Sequence, residues 1–197
     1  MMSWLVWLVC CLPLGLGFWQ AASGALGPDP GKALVLFAGI GALRLLLLTL
    51  AIASIARWLG PHWPWVRRGL RARRALGLAV FAYASCHLLL AVVFVLGTSW
   101  PAVSEAVLQK PYVLLGLAAW LMLTPLALTS TDGMVRRLGR RWKRLHRLIY
   151  PAAILVILHF VWLVRSDYGQ PLFYGLVLFL LLADRFMHER KISAGSR

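Results

Sequence analysis

The sequence predicts an all-α membrane protein, a single bundle of six transmembrane helices with both termini in the cytoplasm. Three observations carry that expectation. Of 197 residues 61 % are hydrophobic, with a mean hydropathy of +0.77. Only six residues are acidic against 21 lysines and arginines. Apolar runs near the ~20 residues needed to cross the hydrocarbon core recur along the whole chain, separated by connections that are alternately near neutral and rich in arginine. No soluble domain of this length has such a composition. The spans leave no room for a separate soluble catalytic domain, and neither a G-x-G-x-x-G nor a Walker-type loop is present to bind a nucleotide.

The six spans fall at 4–22, 33–56, 75–96, 112–130, 145–164 and 172–187, and residues 1–197 read as one domain without repeat or linker. Gln20-Ala21-Ala22-Ser23 resembles a signal-peptide cleavage region, but no Lys or Arg precedes the first apolar run, so it is expected to be retained as a helix. The connections 22–33, 97–112 and 164–172 are close to neutral and are expected outside. Connection 57–74 holds six arginines, Arg57, Arg67, Arg68, Arg71, Arg73 and Arg74, and 131–147 holds seven basic residues; both are expected in the cytoplasm. Trp58, Trp63, Trp65 and Trp142 then mark the inner interface, and Trp19, Trp100 and Trp162 the outer one. The net charge of +15 is thus explained by topology rather than by nucleic acid. Cys10, Cys11 and Cys86 all lie in apolar runs with no CxxC or CxxCH, so they read as inert core thiols.

Histidine inside a span is costly and usually functional. His87 lies 12 residues into the third span and His159 14 residues into the fifth, both running outward, at depths of roughly 18 and 21 Å. Two imidazoles at one depth on different helices are what a b-type heme needs. The competing reading is that each is hydrogen-bonded to a neighbouring carbonyl, and no third Cys, His, Asp or Glu at that depth supports zinc. His146 lies roughly 20 Å from His159 along the helix and, on a straight helix, about 140° round it. It reads equally as a second redox centre near the cytoplasm or as an interfacial histidine touching headgroups. Arg73, not a histidine, stands 14 residues before His87, so His146 has no helical partner for a second bis-histidine site. Arg44 in mid-span calls for a partner, and a heme propionate or a protein carbonyl would serve. Arg73 and Arg74, with Arg71, Arg140 and Arg141, can hold a flavin phosphate, anionic membrane lipid or an acidic protein, although topology alone accounts for most of them. His62 and His188 are expected in solvent.

Taken together, Arg73-Arg74-Ala75-Leu76-Gly77-Leu78 leading to His87-Leu88, Lys110-Pro111-Tyr112, Leu128-Thr129-Ser130-Thr131, and Leu138-Gly139-Arg140-Arg141-Trp142 followed by Leu145-His146 and His159 resemble the MsrQ (YedZ) family within the ferric-reductase-like transmembrane group. The resemblance covers nearly the whole chain. It implies a six-helix cytochrome b of the bacterial inner membrane, with His87 and His159 as heme ligands and His146 associated with a second heme or redox site. It further implies FMN as a cofactor, quinol or a cytoplasmic flavin reductase as donor, and a periplasmic molybdopterin-containing methionine-sulfoxide reductase subunit as acceptor. This chain departs from the family pattern at Leu36-Phe37-Ala38-Gly39, where members often carry a histidine and a threonine before the glycine, and at Pro151, where the family continues with an ordinary helix former.

The resulting expectation is an electron-transfer subunit rather than the catalytic one. Electrons would enter near His146 and the basic loops, reach His87 and His159, and leave outward. The alternatives are a stand-alone ferric- or superoxide-linked cytochrome b, or a non-redox transporter or assembly factor with structural histidines.

Overall fold

The computed structural model describes residues 2–60 and 62–195, with side chains over 7–60 and 62–190. The chain ends, whose expected cytoplasmic placement rests on Met1 and Arg197, and the side chain of Trp4 at the head of the first span, lie outside the described residues. Nine α-helices and no strand form among the described residues. They are α1 Met2–Ala22, α2 Pro30–Leu59, α3 Pro64–Ala91, α4 Trp100–Gln109, α5 Pro111–Leu128, α6 Asp132–Leu138, α7 Arg140–Leu145, α8 Ile149–Leu163 and α9 Gly169–Gly195. A π-helical turn, Val92–Leu96, prolongs α3, and a 3-10 turn, His146–Leu148, joins α7 to α8.

Helix starts follow simple local chemistry. Asp29 caps α2 by accepting from the Lys32 amide at 3.1 Å, Ser99 caps α4 and Thr131 caps α6. Proline stands in the first turn of α2, α3, α4 and α5, where its missing N–H costs nothing. Five stretches are long and apolar enough to cross a membrane: Pro30–Leu59, Pro64–Leu96, Pro111–Leu128, Arg140–Leu163 and Gly169–Arg190. A shorter apolar helix, Trp7–Ala22, accompanies them. The chain is a multi-pass membrane protein.

The connections are more ordered than the charge pattern suggests. Helix α3 begins at Pro64, so Arg67 to Arg74 ride on a helix that projects beyond the apolar span rather than on a loop. Arginine and leucine are good helix formers, and between Pro64 and Ala75 only Gly69 disfavours the helix, too weakly to end it. Likewise α4 occupies the connection 97–112, and α6 and α7 the connection 131–147. Pro151 does not kink the middle of a helix. It sits in the first turn of α8, and the backbone ahead of it tightens into the 3-10 turn at His146–Leu148.

The helices associate as two close pairs, α2 with α3 and α5 with α8, which touch each other less extensively. The main core holds Leu43, Leu46, Leu47 and Leu50 of α2, Val80 of α3, Leu123 and Leu126 of α5, Ala152, Ala153 and Phe160 of α8, and Leu178 of α9. Helix α1 packs separately through Cys10 onto Leu76, Ala79 and Tyr83, and the Tyr83 hydroxyl donates to the Cys10 carbonyl at 2.5 Å. Many large apolar side chains face outward, among them Leu89, Leu121, Leu158 and Phe179. In a bilayer that surface is solvated by acyl chains, so its exposure carries no cost.

Candidate cofactor site between two helix pairs

The division into two pairs puts one histidine on each side of the seam. His87 projects from α3 and His159 from α8, and their imidazole rings stand nearly perpendicular, with centroids 6.1 Å apart and planes at 87°. Each ring is fixed in the same manner. Nδ1 of His87 donates to the Val35 carbonyl of α2 at 2.8 Å, and Nδ1 of His159 donates to the Tyr112 carbonyl of α5 at 2.6 Å. Four residues after each accepting carbonyl comes a glycine, Gly39 or Gly116, and the ring lies on it. A β-carbon at Gly39 would come within 2.8 Å of His87 Nδ1, and one at Gly116 within 2.9 Å of His159 Nδ1.

This construction leaves Nε2 of each ring as the free nitrogen, with the tautomer set by the carbonyl bond on the other side. Two imidazoles that share one metal at about 2 Å per bond have ring centres on the order of 6 Å apart. The observed spacing fits such a pair, and the nitrogen-only donor set fits a heme iron. Among the described residues no three of His, Cys, Asp and Glu converge as a metal cluster. The two histidines paired by depth in the sequence are therefore brought together.

His146 is not part of this pair. It occupies the 3-10 turn, its Nδ1 donates to the Trp142 carbonyl at 3.1 Å, and its ring stacks on the Trp142 indole at 3.8 Å. The indole in turn donates to the Thr129 carbonyl at 2.9 Å. Nε2 of His146 is buried and makes no hydrogen bond of normal geometry among the described residues. Three residues at 3-10 pitch reduce the angular offset between His146 and His159 from roughly 140° to roughly 80°.

Of the arginines, Arg44 is exposed in mid-span and donates from Nε to the Tyr174 hydroxyl of α9 at 2.8 Å. Arg73 donates to the Thr49 carbonyl of α2 at 3.2 Å. Arg74 is paired with Asp132 at the outside of the bundle and takes no part with the histidines. His62 and His188 are exposed. The residues that sequence reading passed over are Gly39, Gly116 and Tyr174. A glycine within an apolar span was the available signal for the first two. Nothing local marks Tyr174, because its partner lies 130 residues away.

Residues 38–157, which include His87 and Tyr112 and stop two residues short of His159, match the family model described as ferric reductase like transmembrane component. The chain is 43 % identical over 194 residues to the protein-methionine-sulfoxide reductase heme-binding subunit MsrQ of Xanthomonas axonopodis pv. citri, covering 98 % of this chain and 82 % of that one. It belongs to the MsrQ family of ferric-reductase-like membrane proteins. The MsrQ of Xanthomonas campestris pv. campestris is 46 % identical over 175 residues, which are 87 % of this chain and 78 % of the relative. The Caulobacter vibrioides MsrQ is 39 % identical over 193 residues, 98 % of this chain and 90 % of that one. With 194 of the 197 residues of this MsrQ-family chain aligned, the histidine pair lies inside the shared region.

Proposed function

We propose that this chain is the heme-binding membrane subunit of a methionine-sulfoxide reductase system, a single six-span domain of the bacterial inner membrane with both termini in the cytoplasm. The observation that carries the reading is the His87–His159 pair, with two imidazoles 6.1 Å apart and both Nδ1 atoms committed to backbone carbonyls. Bound there, a b-type heme supplies one-electron redox chemistry at iron. His87 and His159 would hold the iron through their Nε2 atoms, and the Val35 and Tyr112 carbonyls keep the rings from rotating. Gly39 and Gly116 let the rings lie close to their supporting helices. The apolar walls of the seam exclude water, and Arg44, one and a half turns inward of Gly39, contributes a positive charge near the site.

His146, with its buried free nitrogen beside Trp142, is the candidate for a second redox centre toward the arginine-rich end. Electrons come from the quinol pool or a cytoplasmic flavin reductase, with FMN as an additional cofactor in this reading. They leave outward to a periplasmic molybdopterin-containing subunit that reduces methionine sulfoxide in oxidised envelope proteins. Arg73 and Arg74 lie on the donor side.

The absorption spectrum of the purified protein tests this reading. A reduced-minus-oxidised spectrum of a low-spin b-type cytochrome is expected after expression with ample heme, and His87→Ala or His159→Ala should abolish it. A colourless wild-type preparation, or a low-spin spectrum surviving in both variants, would sink the proposal. Reduction of the periplasmic subunit by this chain and a reductant, and its failure without this chain, tests the direction of transfer.

A further inference from the structure

At the arginine-rich end of the bundle, away from His87 and His159, α2, α8 and α9 form a shallow, partly open cleft lined by Leu50, Ala53, Ser54, Arg57, Tyr150, Leu181, Leu182 and Arg185. Its wall is divided by chemistry. Leu50, Ala53, Leu181 and Leu182 form an apolar side, whereas Arg57, Arg185, Ser54 and the Tyr150 hydroxyl form a polar one. Arg57 is 19 % exposed and bonds through Nη2 to Ser54 at 2.7 Å and to Asp184, while its Nε is buried without a partner among the described residues. Arg185 lies over the Tyr150 ring at 4.2 Å, donates to the Tyr150 hydroxyl and pairs with Glu189 at 2.6 Å.

Behind this wall stands Arg73, whose Nε bonds to the Thr49 carbonyl and which lies within electrostatic reach of Tyr150, Arg57 and Arg185. Three guanidiniums therefore face two carboxylates. Of the two, Asp184 is already engaged by Arg57 and by the Trp58 indole at 2.7 Å, and Glu189 is 55 % exposed. The surplus is cationic, partly desolvated and supplied by guanidinium forks, which match phosphate oxygens. Exposed Trp58, Trp63 and Trp65 put the crevice at the level of an interfacial aromatic belt.

We infer that this crevice is a binding site for a phosphate ester, held by Arg57, Arg185 and Tyr150 with Arg73 adding charge, and that the apolar wall receives the tail of an anionic phospholipid. An anion there offsets the surplus charge and gives the unpaired Arg57 Nε an acceptor. The site is separate from the histidine pair, and the inference stands whether or not heme is bound there.

Native mass spectrometry of the delipidated full chain in neutral detergent tests it, with phosphatidylglycerol and phosphatidylcholine of identical acyl chains as probes. One phosphatidylglycerol should be retained roughly thirtyfold more than phosphatidylcholine, the scale set by two arginine contacts of about 1 kcal/mol each near the membrane surface. The preference should vanish in the Arg73→Gln/Arg185→Gln variant and survive in Arg67→Gln/Arg68→Gln, where the same helix loses exposed arginines. Millimolar glycerol 3-phosphate is the third probe. If it displaces phosphatidylglycerol, the site recognises the ester without its tail and a soluble phosphate ester is an equal source. If it does not, the lipid is the ligand. Equal retention of the two lipids by the wild type, with no effect of glycerol 3-phosphate, overturns the inference without recourse to any variant. So does a preference untouched by Arg73→Gln/Arg185→Gln in a folded protein.

Discussion

The imidazole of His87 rests on the α-carbon of Gly39, so closely that a β-carbon there would stand 2.8 Å from Nδ1 and 2.9 Å from Cε1. His159 rests on Gly116 with the corresponding separations at 2.9 and 3.0 Å. The atoms that would be struck belong to rings pinned by carbonyl bonds, which cannot swing aside as the end of a flexible chain could.

Gly39→Ala should therefore displace the His87 ring and lower the heme-to-protein ratio, and Gly116→Ala should do the same more mildly. Overpacking of this kind costs about 1–3 kcal/mol. Gly77→Ala is the control, since nothing lies within 4 Å of a β-carbon there and alanine favours the helix by up to ~1 kcal/mol. Heme content and the low-spin spectrum of the three purified variants decide the matter. Full loading of both Gly39→Ala and Gly116→Ala would show that the glycines do not shape the site.

Depth along a helix is a one-dimensional quantity, and so the pairing of His87 with His159 could be counted from sequence. Which surface each ring leans on depends on rotation and on neighbouring helices, so Gly39, Gly116 and the Val35 and Tyr112 carbonyls became visible only in three dimensions. Hydropathy located the long spans for the same reason that it missed α4, α6 and α7. Helix α4 is too short to register as a span, α6 and α7 are also too polar, and their existence rests on caps and on Pro111 and Gly139 at their ends. Pro151 was readable as a disturbance, but the chain absorbs it one turn earlier than a mid-helix kink would. That shift sets the angle between His146 and His159.

Two ion pairs should differ widely in worth. Arg57 and Asp184 are 19 and 17 % exposed, whereas Arg74 and Asp132 are 44 and 69 % exposed. Asp184→Asn leaves Arg57 charged and largely desolvated, at an expected cost of about 3–5 kcal/mol. Asp132→Asn removes a screened surface contact worth under about 1 kcal/mol. Thermal unfolding in detergent checks the contrast, and equal losses for the two variants would contradict it.

His146 offers a cleaner separation of roles. Its free Nε2 is remote from the outer pair, so His146→Ala should leave the His87/His159 low-spin spectrum in place while removing any component due to a second centre. Trp142→Phe retains a ring against His146 but loses the bond to the Thr129 carbonyl, at a cost of about 1 kcal/mol. Loss of the entire heme spectrum in His146→Ala would mean that His146, rather than His87 or His159, holds the principal heme.

Arg44 should set the potential of the outer site rather than its occupancy. It lies five residues from Gly39 along α2, roughly 7.5 Å farther along the helix axis, and its bond goes to the Tyr174 hydroxyl rather than to a carboxylate. Reduction of a ferric heme lowers its charge by one, so a nearby cation favours the reduced form. At an effective dielectric constant of about 20 and a separation of about 10 Å the interaction is roughly 1.7 kcal/mol. That corresponds to roughly 70 mV for a one-electron couple. Arg44→Leu should lower the midpoint potential by several tens of millivolts, Arg44→Lys should retain most of it, and Tyr174→Phe, which keeps the charge, should move it little. Spectroelectrochemical titration of the four proteins reads these values directly. A midpoint that does not move in Arg44→Leu would place the arginine outside the field of the site and leave Tyr174 as a purely structural partner.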